Sequence, residues 1–329
     1  MPASTADKAS SLIRPLHTIM KEKIKIIFMG TPDFALAPLE TLINHTDFEV
    51  VAVVTQEDKK VGRKLKIMAP PVKLMAMRHG IPVLQPQTIK NNPEFVKLLR
   101  SLQPDFLAVA AFGQILPEKI LQIPKYGCVN IHASLLPKYR GASPIEEALL
   151  HGDQETGVTI IRMEQKLDSG NIYLLKKIPI ENSDNAGTLR IKLSLLGAPM
   201  LPEVLTEIVE TGTNGIPQNE KLATYCHKIE KKNGLMDIKS MSAEEILRRI
   251  KAYTPWPGCA IMLKGKKLKI LEAEIDKQKN IEPGQTIPWN KNKIALGTKK
   301  GLLMPLKVQL EGKNALPIEN FLLGNRQLF

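Results

Sequence analysis

The chain has 329 residues, 43% of them apolar and 24% charged, the composition of a globular protein with room for two domains of ordinary size. No run approaches the ~18 apolar residues of a membrane span, and the opening residues lack the apolar block of a secretory signal, which leaves a cytoplasmic enzyme or binding protein. The formal charge of +13 calls for an anionic partner, and most of it sits in residues 211–329, where 21 Lys and Arg face 11 Asp and Glu for a net +10.

The three cysteines, Cys128, Cys226 and Cys259, are odd in number and far apart, which fits neither a disulfide frame nor a paired-cysteine zinc site. They read as reduced structural thiols, and no metal is expected.

Residues 1–21 are small, polar and patternless and read as a flexible extension. Order begins with the apolar strand IKIIFMG at 24–30, broken by Gly30-Thr31-Pro32-Asp33, with Asp33 placed to cap a helix running through Ile43. Further apolar strands follow at 48–55, 105–112 and 127–133, with helical stretches at 70–79, 91–102 and 143–151 between them. Fully apolar strands alternating with helices predict a doubly wound, mostly parallel α/β sheet. The turn at Gly30 lacks the second and third glycines of a dinucleotide fingerprint. A β-like stretch at 157–163 leads to the turn Asp168-Ser169-Gly170, then a helix from about 186 to 210. TGTNGIPQNEK, 211–221, reads as the start of a linker. Beyond it the pattern changes to a capped helix at 242–252, with Ser242 and Glu245 at capping-box spacing, and short β-like runs such as LKGKKLKI at 263–270. Lysines alternating with apolar residues there suit strands with one wet face, and a small β-barrel is the economical arrangement.

In a doubly wound sheet, ligands sit beyond the carboxyl ends of the strands. The residues leaving that edge are Gly30, Phe112 to Gln114 and Asn130 to Ser134. Asn130 and His132 are two apart on an extended chain, so both side chains point to one face. With Asp168 they give an amide, an imidazole and a carboxylate with no serine or cysteine nucleophile beside them. Such a set can move a carbonyl carbon between two amines: the amide N–H faces the tetrahedral oxyanion, the imidazole passes a proton, and the carboxylate fixes its tautomer. Singly, each residue has a structural alternative as a strand-end histidine, a turn-closing asparagine or a capping aspartate.

The run NIHASLLPKYRGASPI, 130–145, resembles the Asn-x-His-x-Ser-Leu-Leu-Pro signature of enzymes that use 10-formyltetrahydrofolate, and KLDSG, 166–170, resembles their Leu-Asp-Ser/Thr-Gly loop. IIFMGTPDFA at 26–35, AAFGQILP at 110–117, GDQETGVTII at 152–161 and AYTPWPG at 252–258 are similar, in order and spacing, to the methionyl-tRNA formyltransferase family. The resemblance runs from about residue 22 to the end. It implies that Asn130, His132 and Asp168 are catalytic. It also implies that Phe112, Gly113, Gln114, Ile115, Leu116 and Pro117, with Ser134, Leu135, Leu136 and Pro137, contact the folate. TQEDKKVGRKLKIMAPPVK, 55–73, resembles the basic loop that this family sets against the acceptor end of tRNA, which makes Arg63, Lys64 and Lys66 the expected tRNA contacts. Glu57, Lys60 and Ala69 stand where the family has prolines, and Ile238 where it commonly has an aromatic residue.

The resemblance thus implies a Rossmann-like formyltransferase domain at 22–210, a linker at 211–225 and an OB-like β-barrel tRNA-binding domain at 226–329. The implied partners are 10-formyltetrahydrofolate and initiator methionyl-tRNA, and the implied assembly is a monomer. Other readings keep parts of the pattern: a relative that formylates a sugar nucleotide or glycinamide ribonucleotide, a hydrolase that transfers the formyl group to water, and a non-enzymatic RNA-binding protein.

Overall fold

The computed structural model describes residues 22–61, 66–290 and 292–329. The expected extension at 1–21 and the expected tRNA contacts Arg63 and Lys64 therefore lie outside the described residues.

The first two thirds of the chain hold strands β1 (Ile24–Gly30), β2 (Phe48–Val54), β3 (Lys59–Val61), β4 (Lys66–Met68), β5 (Val83–Leu84), β6 (Phe106–Ala110), β7 (Cys128–His132), β8 (Arg140–Gly141), β9 (Glu155–Arg162) and β10 (Ile172–Pro179). Helices α1 (Leu36–Ile43), α2 (Pro71–Arg78), α3 (Pro93–Ser101), α4 (Glu118–Leu121), α5 (Pro144–His151) and α6 (Ala186–Thr211) alternate with them. Seven strands form one sheet in the order β10-β9-β7-β6-β1-β2-β5. The five from β7 to β5 run parallel, and β9 and β10 close one edge antiparallel.

The β1 sequence explains its central place. Successive residues point to opposite faces, and here both faces are covered. Ile26 and Phe28 pack with Leu39 of α1 and Leu193 of α6, while Ile27 and Met29 pack with Phe95 and Leu99 of α3. A strand buried on both sides must be apolar at every position, as IIFM is.

Asp33 does not make the expected helix cap. Pro32 occupies the cap position of a 3-10 turn, Asp33–Ala35, with no side-chain cap bond, and α1 starts only at Leu36. The carboxylate is thus inside the first turn, where it can favour the helix dipole but cannot close the end.

The last third is mixed in the expected way. Strand β11 (Tyr225–Cys226) pairs back onto β8, and α7 (Ala243–Ala252) carries the reciprocal Ser242–Glu245 capping box. Then β12 (Cys259–Leu263), β13 (Lys266–Asp276), β14 (Thr286–Asn290), β15 (Lys293–Gly297), β16 (Leu302–Leu310) and β17 (Ala315–Pro317) build a six-stranded antiparallel sheet, followed by α8 (Ile318–Asn325). On β13, Leu268 and Ile270 share one face and are buried, while Lys267 and Lys269 on the other are half-buried, the alternation expected of a strand with one wetter face. One hydrophobic cluster joins the two parts: Ile145 and Leu149 of α5 belong to the same core as Ile246 and Ile250 of α7.

All three cysteines are buried, and burial pushes the thiols of Cys128, Cys226 and Cys259 up to about 12, about 11 and about 12. A raised thiol pKa stabilises the fold below the ordinary value of 9.0, and that contribution is lost as pH rises through the folded values. The folded protein is expected to show no fast reaction with Ellman's reagent at pH 8 and three reactive thiols on unfolding.

Candidate active site

The parallel sheet reverses its winding between β1 and β6, and at the carboxyl ends of those strands lies a cavity of about 640 Å³. Pro32 follows β1, Ala111 to Leu116 follow β6, and Asn130 and His132 end β7; all line it. Gly30 permits this crowding, because a Cβ there would come within 2.7 Å of Ala35 Cβ and 3.0 Å of the Ala110 carbonyl.

The structure brings the expected trio together. Asn130 Nδ2 donates to Asp168 Oδ1 at 3.4 Å, and His132 Nδ1 stands 3.6 Å from Asp168 Oδ2. His132 Nε2 is 2.9 Å from the Tyr139 carbonyl oxygen, which can only accept, so the ring proton is assigned to Nε2. The expectation that the carboxylate fixes the tautomer is therefore corrected: the Tyr139 carbonyl fixes it and leaves Nδ1 beside Asp168. Asp168 Oδ2 also accepts the Gly141 N–H at 2.8 Å. Three non-glycine residues here, Ala111, Tyr139 and Asp168, have positive φ (47°, 59° and 47°). Such backbone costs about 1–3 kcal/mol per residue and persists only where surrounding contacts impose it.

The residues expected at the folate divide. Phe112, Gly113, Gln114, Ile115 and Leu116 line the cavity, whereas Pro117, Ser134, Leu135, Leu136 and Pro137 stand outside its wall. The Ser134 stretch builds a turn instead: Ser134 Oγ donates to the Lys138 carbonyl at 2.6 Å, and Thr159 Oγ1 accepts from Leu136 N at 3.1 Å. That turn carries Tyr139 to the histidine. Met163 and Gln165 also line the cavity with no motif to mark them, and so does Leu167 of the KLDSG loop. Glu146 and Arg190 meet at its edge in an ion pair of 2.8 Å, and burial pushes the Glu146 carboxyl up from its ordinary value against the pull of Arg190.

The basic loop starts at the rim. Gln56 Nε2 donates to the Phe112 carbonyl at 3.0 Å, and Asp58 is held by Lys73 and Gln85, both at 2.9 Å. Lys73 and Gln85 hold the Asp58 carboxyl below its ordinary value, the Gln85 contact contributing most. Lys66 lies on β4, exposed.

Residues 22–205 match the family described as Formyl transferase, and residues 228–326 match Formyl transferase, C-terminal domain. The methionyl-tRNA formyltransferase of Caldanaerobacter subterraneus is 43% identical over 302 residues, covering 92% of this chain and 97% of that protein. The Staphylococcus epidermidis enzyme of the same name is 44% identical over 301 residues, covering 91% and 96%. The chain belongs to the methionyl-tRNA formyltransferase family. Among solved structures, an N-formyltransferase from Helicobacter canadensis in complex with folinic acid and dTDP-3-aminofucose shares the fold at 20% identity and a TM-score of 0.62, over 86% of this chain and 98% of that one.

The cavity suits the folate donor of a methionyl-tRNA formyltransferase on its own chemistry. Phe112, Leu116, Met163 and Leu167 give apolar walls for a flat heteroaromatic ring, the peptide groups of 111–116 offer donors and acceptors to its edge, and the polar trio occupies one region. Among the described residues no group of His, Cys, Asp and Glu is arranged to hold a metal, and no helix is long and apolar enough to cross a membrane.

Proposed function

We infer that this chain transfers the formyl group of 10-formyltetrahydrofolate to the α-amino group of methionyl-initiator tRNA. The observation that carries the reading is the convergence of Asn130, His132 and Asp168 on one cavity in a chain of this family. The bound donor supplies an electrophilic formyl carbon. Asn130 turns one amide N–H to Asp168 and leaves the other for the carbonyl oxygen, where negative charge develops as the amine adds. His132 Nδ1, unprotonated in the assigned tautomer, takes the proton that the amine loses, Asp168 stabilises the resulting imidazolium, and the proton is given up to N10 of the folate as the formyl C–N10 bond breaks and tetrahydrofolate leaves. The incoming amine must be neutral, and α-amino groups titrate near 7.7–8.0, so little base strength is needed and positioning carries much of the rate.

For the acceptor, Arg63, Lys64 and Lys66 of the basic loop meet the acceptor end of the tRNA, and the lysine-rich sheet at 226–329 binds its body. Residues 22–210 act as the catalytic domain. The protein works as a monomer in the cytoplasm.

The test is to incubate the protein with 10-formyltetrahydrofolate and charged initiator tRNA, beside a no-acceptor control, and measure formylmethionine on tRNA and free tetrahydrofolate. Product only with charged initiator is expected; tetrahydrofolate without tRNA product would move the function to a hydrolase or another amine. Because the acceptor is a polyanion, tRNA binding is expected to weaken by roughly 10³–10⁵ between 50 and 200 mM salt if ~6–10 phosphates are engaged. A salt-independent binding constant would remove the lysine-rich sheet from the interface.

A further inference from the structure

The segment joining the two sheets reads in sequence as a linker, yet it is wired into the Asp168 loop. Gln218 Nε2 donates to the Asp168 carbonyl at 2.9 Å and the Gly170 carbonyl at 2.7 Å, while its Oε1 accepts from Arg140 Nη2 at 2.8 Å and Nε at 3.1 Å. Both donors and both acceptor positions of the amide are used, and the flipped orientation would set like groups against like, so the assignment is unambiguous. Arg140 is fully buried and also pairs with Glu220 at 2.6 Å. Glu220 in turn holds Lys166, two residues before Asp168, at 2.7 Å. Arg140 and Lys166 together bring the Glu220 carboxyl down to about 2, which keeps it ionised at any working pH.

The same segment holds the other side of the trio. Thr224 Oγ1 accepts the Tyr139 N–H at 2.8 Å, and its carbonyl accepts the Arg140 N–H at 2.9 Å. Next comes Gly141, whose N–H binds Asp168; its φ is +127°, and a Cβ there would run into the Cys226 carbonyl. A tether needs no buried guanidinium, which is costly to desolvate unless its geometry serves something. Here it orients Gln218, and Gln218 grips the backbone of a residue held at positive φ.

We propose that Gln218 is a positioning residue for the reaction, clamped by Arg140 so that it fixes the Asp168 backbone and sets the carboxylate against His132 and Asn130. This rests on the formyl-transfer reading of the trio. Gln218→Glu isolates the role: a carboxylate still accepts from Arg140 but cannot donate to the Asp168 and Gly170 carbonyls. It is expected to lower kcat roughly 10- to 100-fold, with the KM for donor and for tRNA within about twofold and thermal stability retained. In an Asp168→Ala background the same change is expected to cost less than about twofold, because the group it positions is gone. An equal loss in both backgrounds, an effect confined to KM, or full activity of Gln218→Glu would overturn the proposal. Gln218→Met, which keeps the volume without the charge, is read in the same cycle, and failure of both variants to fold would make the segment a folding element and overturn the proposal as well. Wild type separates this outcome from the acceptor assignment. If it releases tetrahydrofolate without forming formylmethionyl-tRNA, the acceptor reading fails, and the cycle is still read on tetrahydrofolate release.

Discussion

His132→Ala is expected to lower kcat by roughly 10²–10⁴ while leaving the KM for donor and tRNA nearly unchanged. The ring is held from one side by the Tyr139 carbonyl and flanked on the other by Asp168, so its bonds serve to orient Nδ1. Alanine removes the proton acceptor and the charge that Asp168 would stabilise. It does little else, because the Tyr139 carbonyl keeps a second partner in the Cys226 thiol at 3.4 Å. Thermal unfolding should therefore shift by no more than ~1–3 kcal/mol, the range for a buried polar group that loses a bond. Steady-state kinetics with both substrates saturated decides the matter. Near-normal kcat would return His132 to a satisfied strand-end histidine.

Asp168→Asn should cost about as much, ~10²–10⁴ in kcat, for a different reason. The carboxylate accepts from Gly141 N–H through one oxygen and from the Asn130 amide through the other. An asparagine of the same shape has a single oxygen. If that oxygen stays with Gly141, its amino group faces the amino group of Asn130, donor against donor, and the imidazolium loses its counter-charge. Combined with His132→Ala, the second change should add little, since the two residues act on one proton. Multiplied losses in the double variant, or a loss confined to the KM for tRNA, would separate Asp168 from the histidine.

The seven-stranded sheet was readable in the sequence because its signal is local. Apolar runs at 24–30, 48–55 and 127–133 appear as β1, β2 and β7 within a residue or two, and the helix expected at 186–210 is α6. Asn130 and His132 were visible because spacing along a strand dictates a shared face. Asp33 failed as a cap because the proline before it took that position. The meeting of Arg140 with Gln218 and Glu220 left no mark in the chain, for it spans 78 and 80 residues and no periodicity connects them. Ser134 to Pro137 were legible as a motif, but resemblance does not distinguish a residue that touches a ligand from one that shapes the turn beside it. Nor does composition show that the glycine- and asparagine-rich start of the linker leads into a built contact, because polar residues suit solvent and hydrogen-bonded networks equally well.

The shared core of α5 and α7 makes the stability of the two sheets common property. Helix α5 follows directly on the loop that carries Tyr139 and Gly141 and packs against α7 as well as α6 and β9, so its cover is complete only while the C-terminal third is folded. A weakened β13 or α7 is then felt as lost order at the trio, although no residue of either touches it. The C-terminal third is in this sense a chaperone built into the same polypeptide, and a chain cut after α6 would lose the part of the α5 cover that α7 supplies.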